Sequence, residues 1–222
     1  DPTVTLTYKK PKEETNMLFN TLALISLLVI LMMLRTLVGV FPSLMACLIR
    51  SKESINLEAS AQLSRDRNLL ATAMVMPFCL IVWKEGLYMP AFMEACNENM
   101  RFCIILGTFL TYVLIRKALE HILRPKNMNS KTYQTACKTG RSFFGLLTLI
   151  LLAVGGVMSF MGTPADAIRS AMLWISACIY LIYILRKTQI LVSSASFFAA
   201  FLYLCALEII PTGALVASAI IF

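Results

Sequence analysis

The chain is 222 residues long, 59% hydrophobic and 14% charged, and its apolar residues come in long blocks rather than in the short alternation of a soluble core. It reads as a multi-pass membrane protein. Its net charge of +8 does not point to nucleic acid, because the basic residues stand at the ends of apolar blocks as topology signals and not in a patch interleaved with exposed aromatics.

Residues 1–16 are polar, carry both signs of charge and include Pro2 and Pro11, so a polar N-terminal tail with little structure is expected at the membrane surface. The opening at Asp1 leaves room for an upstream segment such as a removed signal peptide. Met17–Leu34 is an uncharged run closed by Arg35, close to the roughly 20 residues a helix needs to cross the hydrocarbon, and forms span one. Val38–Ile49, interrupted by Gly39 and Pro42, suits an interfacial helix, and the mixed charges of residues 50–68 suit a solvated loop. Span two runs from Leu69 to near Leu87, with Trp83 and Tyr88 at headgroup level and a kink at Pro77. Span three starts near Phe102. Arg116 and Lys117 follow after fourteen apolar or weakly polar residues, so their charged heads are expected to snorkel while the helix continues to Leu123.

Between Arg116 and Arg141 stand seven Lys or Arg and one acid, Glu120, which marks a basic cytoplasmic hairpin. Its second arm starts at Asn129 or Ser130 and enters span four, Phe143–Phe160. There Gly145, Gly155, Gly156 and Ser159 offer small surfaces for close helix approach. Thr163, Pro164 and Asp166 read as N-cap, first-turn proline and capping carboxylate of span five, which ends at Arg186 and Lys187. Span six covers about Leu191–Thr212, ahead of an apolar tail. The expected fold is all-α, a polytopic bundle of about six transmembrane helices plus an interfacial helix, with residues 17–222 as one transmembrane domain. With the first, third and fifth connections cytoplasmic, fourteen of the twenty Lys and Arg lie inside, and both termini face the periplasm.

The anomaly in this pattern is Glu208, the one acid inside a span, followed three residues later by Pro211. A charged side chain in the bilayer interior costs on the order of 3 kcal/mol or more, so such a group pairs, stays protonated or faces protein. Proline offers no N–H to the carbonyl of Leu207, which places a second polar irregularity in the same turn. On a helix Ser194, Cys205, Glu208 and Thr212 share a face, while Phe198, Leu202 and Ile209 point elsewhere. If the span starts at Leu191, Glu208 lies near its outer boundary with Arg101 as the partner to test. If it starts at Phe197, Glu208 is central.

No constellation for covalent chemistry assembles. Lys117 and Arg124, in KALEHILRP, have the K-x6-R-P spacing of the first signature of membrane lipid phosphatases, but the nucleophilic and proton-donating histidines of that chemistry are missing, His121 being the single histidine. There is no G-x-S-G serine, no pair of aspartates within spans and no H-E-x-x-H. Seven cysteines without a C-x-x-C pair support neither a zinc site nor a disulfide framework, and no metal or other cofactor is expected.

The C-terminal stretch LRKTQILVSSASFFAAFLYLCALEIIPTGALV, Leu185 to Val216, resembles the closing signature of a multi-pass family of Bacteroidota known as a domain of unknown function. The L-Y-L-C-x-L-E-I-x-P core carries the likeness. Upstream, YVLIRKALEHIL resembles the lysine-bearing helix of the same family. The resemblance implies an inner-membrane protein with several spans, and carries Tyr203, Cys205, Glu208 and Pro211 as matching positions. The long apolar tail after Pro211 departs from it.

These readings lead to the expectation of a non-enzymatic integral subunit or assembly factor of a larger inner-membrane complex, in contact with the bilayer and with other membrane subunits. Glu208, with Tyr203, Cys205, Pro211 and Thr212 around it, and the basic face of Arg116, Lys117 and Arg124 are the expected contact points. The alternative is a proton- or ion-coupled transporter or channel component that uses Glu208 as its titrating group.

Overall fold

The structure, a computed structural model, describes residues 10–49, 60–93, 95–123, 130–193 and 197–221. The described residues form an all-α bundle: α1 (Lys10–Met32), α2 (Leu34–Ile49), α3 (Ala61–Ala73), α4 (Val75–Lys84), α5 (Glu98–Ile122), α6 (Ser130–Phe160), α7 (Ala165–Val192), α8 (Phe197–Leu204) and α9 (Ile210–Ile221), with a short 3-10 turn at Ala91–Met93. Among the described residues, five stretches are long and apolar enough to cross a membrane, and a sixth if α1 and α2 count as one bent span.

The first third differs from expectation. Span one is not a free-standing helix through Leu34. α1 begins at Lys10, inside the stretch expected to be a tail, and ends at Met32, where the chain bends by 72° into α2. The bend turns α2 onto the bundle, where Val40, Leu44 and Cys47 pack against Leu70, Met74 and Leu146. The stretch expected to ride at the interface is thus half core. Span two starts earlier than expected, since the polar residues 61–68 are already helical below Leu69. Ser60 accepts a hydrogen bond from the Leu63 N–H and caps α3. The break between α3 and α4 falls at Met74, three residues before Pro77, because a proline at 77 has no N–H for the carbonyl of residue 73.

The later helices follow expectation more closely. Their ends are built from the residues that helix ends need. α4 and α6 both close on a glycine in the left-handed region, Gly86 (φ 59°) and Gly162 (φ 69°). In each case the next N–H reaches back five residues, Leu87 to Val82 and Thr163 to Met158, in a Schellman motif. α7 is capped at Pro164 with Asp166 in its first turn, one residue later than the Thr163 cap expected. It also runs to Val192, past Arg186 and Lys187. Arg186 then has a different role: Nε and Nη2 donate to the carbonyls of Leu48 (3.0 Å) and Ile49 (2.7 Å), which caps the C-terminus of α2.

α6 and α7 pair as an antiparallel hairpin at the centre. On one side Phe78 of α4, Phe109 of α5 and Phe144 of α6 form an aromatic triad with centroids 5.2–5.5 Å apart. On the other, α8 packs Ala200 and Leu204 against Ala136, Ile190 and Leu191. Of the small residues in span four, Gly155 is the glycine against a neighbour: a Cβ there would run into the Met172 methyl, whereas Gly145 and Gly156 have nothing within 4 Å. Large apolar side chains such as Leu28, Leu114, Trp174, Leu185 and Phe198 are exposed on the outside of the bundle, as a lipid-facing surface requires.

Candidate functional site

Three helices carry one charge each on an inward stripe, and the bundle brings the charges together. On α7 the buried positions Met172, Ile179 and Tyr183 lead by helical steps to Lys187. On α5 Phe102, Ile105, Phe109 and Tyr112 lead to Arg116. On the last span Ala200 and Leu204 lead to Glu208. Lys187 and Glu208 are both 0% exposed and joined as an ion pair. Arg116, 19% exposed at its side chain, approaches the same oxygen, its Nη2 2.8 Å from Glu208 Oε1.

Tyr183 sits among the three. Its hydroxyl donates to Glu208 Oε1 at 2.6 Å and accepts from Arg116 Nη2 (2.5 Å) and Lys187 Nζ (3.3 Å). Arg116 also leans on Glu120, one turn further along α5, with Nε 3.7 Å from Oε1. Two cations and two carboxylates therefore form one network of zero formal charge. Mutual neutralisation is the condition for holding ions in a low-dielectric interior. Among the described residues, every acceptor interaction of the carboxylate falls on Oε1, while Glu208 Oε2 is buried with no hydrogen-bond partner.

The backbone at Glu208 is irregular. Cys205–Ile209 forms a π turn in which the Ile210 N–H reaches back five residues to the Cys205 carbonyl. Pro211 follows directly, so the helix ladder is interrupted from both sides of the acid. Side chains from other helices satisfy the strip around it. The Tyr180 hydroxyl donates to the Glu208 carbonyl at 3.1 Å, and Tyr112 OH lies 3.0 Å from Thr212 Oγ1. One turn before the acid, Tyr203 donates to Tyr133 (2.9 Å), which donates to the Glu120 carbonyl (2.5 Å).

Tyr203 lies on α8, Cys205 and Glu208 in the π turn, and Pro211 and Thr212 at the start of α9. Arg116 joins them by tertiary packing. Arg101 does not fill the role of partner, since Glu208 stands near the middle of the candidate span Ala200–Ala219. Arg101 lies at the other end of α5, with Nε bound to the carbonyls of Met93 (2.9 Å) and Cys96 (3.1 Å). The apolar tail is the second half of that last span. Lys117 is exposed beside its paired neighbour. Arg124 and Ser194 lie outside the described residues, as does Asn129.

Lys187 and Tyr183 were not singled out from the sequence. The signal was present, since Lys187 extends the stripe of Met172, Ile179 and Tyr183 whereas Arg186 lies about 100° off it. Gly140 was missed as well. A Cβ at that position of α6 would stand 2.6 Å from Arg116 Nη2, so the absence of a side chain makes room for the guanidinium.

Residues 20–218 match the protein family described as Domain of unknown function (DUF4271). The match covers most of the chain, and the chain belongs to that family. No curated protein and no solved structure matches it.

Proposed function

We propose that this family member is a non-enzymatic integral subunit or assembly factor of a larger complex in a bacterial inner membrane, with the basic end of its bundle cytoplasmic and both termini periplasmic. The observation that carries the reading is the internal pairing of Glu208. Lys187, Arg116 and Tyr183 all converge on its Oε1 from the same chain. A charge held in this way orders helices rather than reacts, because breaking any pair leaves an uncompensated ion in the interior. The network then acts as an internal clamp that holds the last span against α5 and α7. The contact role expected for Glu208 becomes contact within the chain, and the outer helical faces are left for partner subunits. Two cavities, between α3 and α6 and around Trp83 and Arg101, are lined by none of the network residues.

Purification of the full chain from its own membranes in mild detergent tests this reading. A stoichiometric membrane partner is the expected result. A lone chain, both in detergent and after cross-linking in intact membranes, would overturn it.

One observation favours the alternative of proton- or ion-coupled transport, namely the buried Glu208 Oε2 without a partner. A carboxylate with one oxygen held by cations and the other unengaged has a place for a proton. On that reading Glu208→Gln abolishes a pH-dependent flux in proteoliposomes while the protein stays folded. An unchanged flux would remove it.

A further inference from the structure

The last span changes character at its middle. Up to and within the π turn it is anchored in the bundle, with Ala200, Leu204, Leu207 and Glu208 all buried. Beyond the turn the anchoring stops, since every residue from Ile210 to Ala219 is half-buried or exposed. A Cβ added at Gly213 would meet nothing within 4 Å. The change falls at the break in the backbone, where the π turn Cys205–Ile209 meets Pro211. A helix interrupted by a π turn and a proline bends there more readily than along its regular turns, because bonds of the ladder that resist bending are missing.

The attachments of α9 are polar. It runs back past Tyr112 of α5 toward Tyr88, in the connection between α4 and α5. Thr212 Oγ1 lies 3.0 Å from Tyr112 OH, and Ser218 Oγ lies 3.1 Å from Tyr88 OH. Ser218 donates its own proton to the Leu215 carbonyl at 2.7 Å, so Tyr88 is the donor in the second pair. Hydrogen bonds between membrane helices are of modest strength, and two such pairs can part and re-form.

The other end of the segment is held far more firmly. Lys187 and Arg116 meet the Glu208 carboxylate, and Tyr180 donates to the Glu208 carbonyl. α9 is therefore fixed at its start, interrupted next to the fixed point and latched by single hydroxyls beyond it. Segments with few buried side chains are the ones that open locally while the rest of the fold stays closed.

We propose that α9 is a hinged flap that pivots at Cys205–Pro211, is latched by the Tyr112–Thr212 and Tyr88–Ser218 pairs, and controls access to the charge network from the side of Tyr112. It rests on the clamp reading only for its fixed point at Glu208, and it needs no partner subunit. Distances between spin labels on the full chain in lipid nanodiscs test it, with Cys96, Cys103, Cys137, Cys178 and Cys205 replaced by serine. Labels at Val216 on α9 and at Leu202 on α8, both exposed, are each paired with one at the exposed Leu173 of α7. Tyr88→Phe with Tyr112→Phe removes both latches and should raise the population of a second Val216 distance by about tenfold. The Leu202 pair should keep one distance throughout. In the same background, Thr212→Cys should react faster with a small water-soluble thiosulfonate once Tyr88→Phe is added, and an unchanged rate would overturn the control of access. An unchanged, single Val216 distance would overturn the hinge. Equal broadening of both pairs would also overturn it, by moving the whole last span, and that outcome alone would count against the clamp at Glu208 as well.

Discussion

Gly140 and Arg116 approach so closely that a single methyl group on Gly140 would stand 2.6 Å from the guanidinium. That contact places α6 behind the charge network, and it explains how an arginine near the end of α5 reaches inward to Glu208 instead of outward to the headgroups. The space is available because position 140 has no side chain.

Gly140→Ala is expected to displace Arg116 from Glu208. In a helix, Gly→Ala alone is favourable by roughly 0.5–1 kcal/mol, and forcing an extra methyl group into a packed site costs about 1–3 kcal/mol. Gly145→Ala, which meets nothing within 4 Å, supplies the reference. Thermal unfolding in detergent should rank Gly140→Ala below Gly145→Ala, and the reverse order would refute the contact.

Replacing one partner of the Glu208–Lys187 pair should be more harmful than replacing both. Removal of a single member of a buried pair costs on the order of 3–5 kcal/mol. The double variant Glu208→Gln with Lys187→Met leaves Arg116 paired with Glu120 and closer to the surface, so part of the loss returns. A double-mutant cycle on unfolding free energy should give a coupling of about 1 kcal/mol or more. Additive effects would mean that the pair does not hold the last span.

Arg186→Ala should loosen the end of α2 and leave α9 unchanged. The side chain donates to the carbonyls of Leu48 and Ile49, and charged hydrogen bonds of this kind are worth about 1.5–3 kcal/mol. Hydrogen exchange is the suitable probe, with faster exchange confined to residues 40–49. Uniform acceleration across the bundle would contradict the local capping role.

The proposed orientation makes a prediction for two half-buried thiols, Cys96 and Cys137. In single-cysteine variants a membrane-impermeant maleimide should label Cys96 in intact cells and Cys137 only after lysis. The opposite pattern would invert the topology inferred from the basic loops.

Several features were legible because they depend on local chemistry. Block length and hydropathy are enough to specify helices long and apolar enough to cross a bilayer, and the first-turn carboxylate of α7 and the end of α5 near Leu123 follow from residues within a turn of each end. The bend at Met33 was not legible, since Gly39 and Pro42 are the visible breakers and neither stands at the break. Docking of Val40, Leu44 and Cys47 onto α3 and α6 determines where α2 must turn.

The cost of Glu208 in oil was readable from its surroundings in the chain, because desolvation depends on the apolar residues on either side. Its partners were not. Lys187 and Arg186 are adjacent in sequence and alike in chemistry, yet Lys187 is buried against the acid while Arg186 caps another helix. Composition treats both as topology anchors. Only the packing of α5, α7 and the last span, which converts a step of about 100° around a helix into inside or outside, decides which charge meets which.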